Sequence, residues 1–245
     1  ARVPLGPVRP RTCRTGAIPL TQVATRSHKE ETTLAKKKKS VPPGRFDRFS
    51  EPTIVPPNAG ITDLQEQFAP DWLPEGVTPK EGKKLLQIAK EELFALQDRF
   101  YADGSRAMLI VLQGMDASGK DGTIKHVMEG VNPQGVEVHS FKAPSHLDMS
   151  HDFLWRNEIA TPRLGQIGIF NRSQYENVLI TRVHPELLWP ETSVPRNGDI
   201  WAERYRQIND WERRLEDQGT VIVKLFLNLS LEEQTRRFLS RIDDP

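Results

Sequence analysis

Ala107-Met108-Leu109-Ile110-Val111-Leu112-Gln113 runs directly into Gly114-Met115-Asp116-Ala117-Ser118-Gly119-Lys120-Asp121-Gly122-Thr123. The first part opens with six apolar residues without alternation, the texture of a parallel strand covered on both faces. The second sets Gly114, four residues, then Gly119 and Lys120, the spacing of a phosphate-binding P-loop. Glycines let the backbone turn its N–H groups inward around phosphate oxygens, and a helix starting at the lysine adds partial positive charge. Lys120 brings a full charge that can follow a phosphoryl group in transfer. Met115, Ala117, Ser118, Asp121, Gly122 and Thr123 complete the stretch expected to line phosphates with Gly114 and Gly119. Two positions depart from the general pattern. Asp121 stands where a Ser or Thr hydroxyl usually meets magnesium, and Asp116 lies inside the loop. A carboxylate in a phosphate cradle is repulsive unless a cation intervenes, so Asp116 is the expected Mg²⁺ ligand.

Working outward, Leu85, Ala89, Leu93, Leu96 and Phe100 make one apolar stripe on a helix from Pro79 to near Tyr101. Further strands are predicted over Val136–Phe141, Gln166–Phe170 and Thr220–Leu227. Helical patterns fill Lys120–Glu129, His151–Ile159, Ser173–Val183 and Trp201–Glu216. Ser230 with Glu233 fits a capping box opening a last helix through Arg241. Strands alternating with helices give an α/β fold, a doubly wound parallel sheet with helices on both faces. No internal repeat is present.

Residues 1–78 read as a separate Pro- and basic-rich arm, partly disordered or wrapping, ahead of a domain over 79–245. Ala1 to Lys29 holds five arginines and no acidic residue, and Lys36–Lys39 is a run of four lysines. An Arg-rich targeting peptide shares that composition, but Pro4, Pro7 and Pro10 break an amphipathic helix. The net charge of +1 argues against binding DNA or RNA by bulk charge. No apolar run approaches the ~18 residues of a membrane span. Cys13 is the single cysteine, which excludes an internal disulfide and fits a reducing, cytoplasmic setting. His126, His139, His146, His151 and His184 show no metal-ligand spacing.

In a doubly wound sheet, ligands bind beyond the carboxyl ends of the strands. Asn171 and Arg172, after the third predicted strand, therefore face the P-loop. Here several motifs together resemble the polyphosphate kinase 2 family. They are the loop G-M-D-A-S-G-K-D-G-T, V-N-P-Q-G at 131–135, L-W-R at 154–156, I-F-N-R-S-Q-Y-E at 169–176 and R-Y-R-Q-I-N-D-W-E at 204–212. The resemblance covers about residues 80 to 245. It implies a P-loop kinase-like three-layer sandwich with a helical lid, around 182–216, in which the Pro-rich stretch with Pro185, Pro190 and Pro195 falls. The implied activity is Mg²⁺-dependent transfer of a terminal phosphoryl between inorganic polyphosphate and a nucleoside mono- or diphosphate, with ADP or ATP as the phosphorylated nucleotide. Asp116, Lys120, Asn171 and Arg172 match catalytic positions, with Asn171 where the family often has Asp. Asparagine ligates a cation only through its carbonyl oxygen and brings no charge. Lys142, Arg182, Arg204, Arg206, Arg236, Arg237 and Arg241 are expected to grip the polyanion, Arg237 foremost on the last helix. The resemblance also implies a homo-oligomer, and further C-terminal helices that this stretch of sequence does not include. Two other readings stay open: an ATP-dependent P-loop kinase of a small molecule, and a polyphosphate- or nucleotide-binding protein with weak catalysis.

Overall fold

In the computed structural model, which describes residues 46–55, 64–188 and 198–243, the strand before the P-loop is the centre of the fold. The elements are α1 (Asp47–Ser50), α2 (Leu64–Gln67), α3 (Pro79–Asp103), β1 (Ala107–Gly114), α4 (Lys120–Val127), β2 (Val136–Ser140), α5 (His146–Met149), α6 (Trp155–Glu158), β3 (Ile167–Asn171), α7 (Glu176–Val183), α8 (Ile200–Asp217), β4 (Thr220–Leu227) and α9 (Leu231–Asp243), with 3-10 turns at Glu51–Thr53, Pro133–Gly135 and Pro185–Leu187. A capping box starts α3: Thr78 Oγ1 accepts from Glu81 N at 3.3 Å, and Thr78 N donates to the Glu81 carboxylate at 3.0 Å.

The four described strands are all parallel, in the order β2-β3-β1-β4. From β1 the chain crosses past β3 to β2; from β3 it crosses past β1 to β4. Right-handed crossovers running in opposite directions place their helices on opposite faces of the sheet. Adjacent β1 and β3 therefore send their carboxyl-terminal loops apart, and a crevice opens between them. The expected α/β fold, a parallel sheet flanked by helices, is what forms.

Leu109 and Val111 of β1 and Phe170 of β3 are buried against Trp211 and Leu215 of α8. A second cluster, Phe153, Val178 and Ile208, fixes α7 on α8. The second half of the expected lid is thus a packed core layer, while Pro190 and Pro195 fall outside the described residues. Two expectations are corrected. The helix expected over His151–Ile159 is only the short α6, with α5 a separate turn before it: Ser145 caps α5 reciprocally with Asp148, and the Asp152 carboxylate accepts from Leu154 N at 2.9 Å. The capping box at Ser230 is only half made: Ser230 Oγ accepts from Glu233 N at 3.2 Å, but the Glu233 carboxylate faces Arg236 and Arg237. β4 lies at the sheet edge, with Leu225 and Phe226 about half exposed.

Candidate active site

The P-loop joins β1 to α4 and is wound tightly enough that two of its positions demand glycine. A Cβ on Gly114 would lie 2.7 Å from Ser118 Oγ and 3.1 Å from the Leu227 backbone oxygen. Gly119, the residue preceding α4, has φ 94, in the left-handed region. The carbonyl of Leu227 belongs to the sheet and cannot retreat, so Gly114→Ala is expected to push the loop outward. The predicted outcome is at least a tenfold weaker affinity for inorganic pyrophosphate, about the loss of one hydrogen bond, read by titration calorimetry.

Lys120 is buried, and its Nζ donates to the carbonyls of Gly114 at 2.8 Å and Met115 at 3.1 Å. Burial lowers its pKa below the ordinary lysine value and the Arg172 guanidinium lowers it further, while Asp116, Glu176 and Asp121 act in the opposite sense. Across the crevice, the chain leaving β3 holds one more pairing to β1, Arg172 N to Leu112 O at 3.1 Å. Arg172 then adopts φ 63, as does Ala117 in the loop, a conformation that costs roughly 1–3 kcal/mol in a non-glycine residue. From there the Arg172 guanidinium donates to Asp116 Oδ1 at 2.9 Å. Asn171 Nδ2 donates to Asp121 Oδ1 at 2.6 Å. The two carboxylates of the loop are therefore each met by a donor from the β3 end. Asn171 spends its amide nitrogen on Asp121, which makes it an orienting residue for that carboxylate.

Two cavities share a wall here. One, of about 610 Å³, is lined by residues 116–122 with Asn171, Arg172 and, from α9, Arg241. The other, of about 680 Å³, has apolar walls that include Phe141, Met149, Ile180 and Leu187. Phe141, Lys142, Ala143 and Arg172 border both. Of the expected polyanion-binding residues, Lys142 and Arg241 reach these cavities and the others do not. Arg204 is buried, with Nη1 donating to Asn177 O at 2.7 Å and its guanidinium 4.6 Å from the Phe153 ring centre. It braces α8 on α7. Arg206 pairs with Asp210 on its own helix, Arg182 lies over Trp201, and Arg236 pairs with Glu233. Arg237 is turned onto the loop's backbone, donating to Ala117 O at 2.8 Å.

Sequence reasoning missed Arg156, Glu176 and Asn177, which line the apolar cavity. Arg156 Nη1 donates to Lys142 O at 2.8 Å and its guanidinium stands 5.4 Å from the Phe141 ring centre. The amide of Gln113 satisfies both its ends when its nitrogen donates to the Glu176 carboxylate (3.1 Å) and its oxygen accepts from Ser173. The motifs at 154–156 and 169–176 were the available signals for Arg156 and Glu176, and Asn177 directly follows the second.

A phosphate cradle at the switch point of a doubly wound sheet, with a basic residue facing it from the neighbouring strand, defines a P-loop domain. Within that class, a polyphosphate kinase 2 profile matches residues 77–245, and the chain belongs to that family. It is 52% identical over 167 residues to an ADP-polyphosphate phosphotransferase of Rhodopseudomonas palustris, covering 66% of this chain and 57% of the relative. It is 44% identical over 177 residues to an AMP/ADP-polyphosphate phosphotransferase of Meiothermus ruber, covering 70% of this chain and 63% of the relative. The crystal structure of polyphosphate kinase 2 from Arthrobacter aurescens TC1 superposes with a TM-score of 0.65 at 41% identity, over 72% of this chain and 61% of that one. The chain thus spans about three fifths of the length of these relatives.

Proposed function

We propose that this protein is a polyphosphate:nucleotide phosphotransferase, moving a terminal phosphoryl between inorganic polyphosphate and a nucleoside mono- or diphosphate. The observation that carries the proposal is the shared wall of the two cavities. A charged compartment made of loop amides, Lys120, Arg172 and Arg241 suits a phosphoryl chain. An apolar compartment opening beside it suits the nucleoside of the acceptor. The acceptor atom is a phosphate oxygen, largely ionised at neutral pH, so no strong general base is needed. Catalysis then rests on alignment and charge neutralisation, in line and without a covalent enzyme intermediate.

Mg²⁺ suits the donors present. Among the described residues no group of three His, Cys, Asp or Glu side chains forms a cage, and Mg²⁺ asks for none: one or two carboxylates, phosphate oxygens and waters suffice. The Asp116 carboxylate is 70% exposed, and Asp121 lines the same cavity. These two residues would hold the ion. When bound it supplies charge neutralisation between the phosphates and screens them from the two carboxylates. Asn171 keeps Asp121 in place. Asp116→Asn is expected to raise the Mg²⁺ concentration for half-maximal rate about tenfold, as the loss of one charge-assisted contact gives. An unchanged magnesium titration would count against Asp116 as a ligand.

Incubation with polyphosphate, Mg²⁺ and either ADP or AMP tests the proposal directly. Formation of ATP or ADP is expected. ATP consumption indifferent to polyphosphate would instead mark a kinase of a small molecule, and binding without turnover would mark a binding protein. Among the described residues no helix is long and apolar enough to cross a membrane. Further parts of the same proposal are a cytoplasmic setting, residues 1–78 as an arm outside the kinase domain, and assembly of several copies, read by light scattering.

A further inference from the structure

We propose that one face of α9, made of Glu233, Gln234 and Arg237, is a positioning clamp that holds the P-loop backbone in its phosphate-binding shape. The proposal rests on the phosphate-cradle function given above and adds to it the element that sets the cradle's geometry. Gln234 Nε2 donates to Asp116 O at 2.8 Å, and Arg237 Nη1 donates to Ala117 O at 2.8 Å. These are consecutive carbonyls of the loop. Glu233 Oε1 accepts from Arg237 Nε at 2.7 Å and so fixes the direction of the guanidinium. Glu233 is itself placed in the first turn of the helix, where its N–H meets Ser230 Oγ.

A loop that turns its amides toward phosphates must turn carbonyls away from them, and those carbonyls need donors. In a planar trans peptide the N–H points opposite to the C=O. Holding the Asp116 and Ala117 oxygens on α9 therefore fixes the orientation of two successive peptides. Between them sits Ala117 at φ 63, a conformation that persists in a non-glycine residue only when its surroundings over-determine it. The clamp supplies that constraint. The same contacts explain why Arg237, although basic and near the cradle, is not among the residues lining the charged cavity, whereas Arg241, one turn further along α9, is.

The alternative for Arg237 is direct binding of an anion, and Gln234 separates the two because it carries no charge. In the full chain, Gln234→Leu is expected to raise amide hydrogen exchange over residues 115–119 about tenfold, the scale of one lost hydrogen bond. It is expected to weaken inorganic tripolyphosphate binding by a similar factor. Turnover should fall in kcat more than in KM for polyphosphate. Arg237→Met should give the same pattern, and the double variant should lose less than the product of the two, since both bonds hold one peptide pair. If Gln234→Leu leaves loop exchange and tripolyphosphate affinity unchanged while Arg237→Met raises KM in a salt-dependent manner, the clamp is overturned and Arg237 is an anion ligand. Should Gln234→Leu fail to fold, Gln234→Met carries the same comparison. Exchange and tripolyphosphate affinity do not depend on turnover. A wild-type chain that binds tripolyphosphate but transfers nothing from polyphosphate would fail the proposed activity and leave the clamp standing.

Discussion

Replacing Lys120 by methionine is expected to lower phosphoryl transfer by about 10²–10³-fold, the cost of removing one donor from a developing charge in a dry site. The fold should survive. Lys120 is buried with its Nζ on two loop carbonyls, and burial lowers its pKa. A lysine with a lowered pKa is one whose charged form the folded state disfavours, so removing that charge need not destabilise the chain. Methionine keeps the length and apolar stem. The ammonium is held where bound phosphate makes its charge favourable: an anionic ligand stabilises the protonated form and raises the pKa again. Affinity for tripolyphosphate should accordingly fall on the alkaline side, at a pH below that of an ordinary lysine, and this limb should be absent in Lys120→Met. Stopped-flow transfer rates, thermal melts and titrations across pH check the three parts. A variant with near-normal transfer would remove Lys120 from the mechanism.

The loop and its lysine were legible because they depend on local spacing, and β4 was legible to the residue because its run Thr220–Leu227 is bounded by Gly219 and Asn228. The crevice was legible too, since alternating strands and helices leave few topologies and each puts ligands at the strands' carboxyl ends. The arginines were another matter. Arg204 was expected on a polyanion, yet its position gave it away: Arg204, Ile208, Trp211 and Leu215 recur at steps of four, three and four, and all four are buried. A helix does not exempt a cation from the face its period assigns, and here burial is made tolerable by the Asn177 carbonyl and the Phe153 ring. The role of Arg237 depends on where α9 comes to rest against the loop, a distance of 120 residues in sequence. No local pattern encodes that. The separate turn α5 did have a local signal for its start, Ser145 three residues before Asp148.

The other large effect is expected at Glu212, the last residue of the R-Y-R-Q-I-N-D-W-E motif. Its carboxylate is buried and gathers three donors: Gln174 Nε2 at 3.0 Å, the Tyr175 hydroxyl at 2.9 Å and Lys224 Nζ at 2.7 Å. These come from the turn after β3 and from β4, so one residue of α8 ties together the segment that carries Arg172. Glu212→Leu strips the acceptor from all three. Breaking a buried pair costs about 3–5 kcal/mol, and because Lys224 is 49% exposed and can turn to solvent, about 2–3 kcal/mol is the better expectation. Glu212→Gln keeps a carbonyl acceptor and should lose about half as much. Urea unfolding gives these values. Activity should fall beyond what unfolding explains, because Arg172, held at φ 63 three residues before Tyr175, loses its support. Tyr175 offers a readout of the network itself. Burial, then the Glu212 charge, pushes its pKa up to about 12 from the ordinary 10.0. Its folded pKa is raised, so its contribution to stability is complete below pH 10 and is lost as pH rises through about 12. Wild type should therefore lose stability between pH 10 and pH 12 more steeply than Tyr175→Phe. Glu212→Gln should fall between them, since it removes the charge that opposes the phenolate. Equal alkaline slopes in all three proteins would mean that Glu212 and Tyr175 are not coupled.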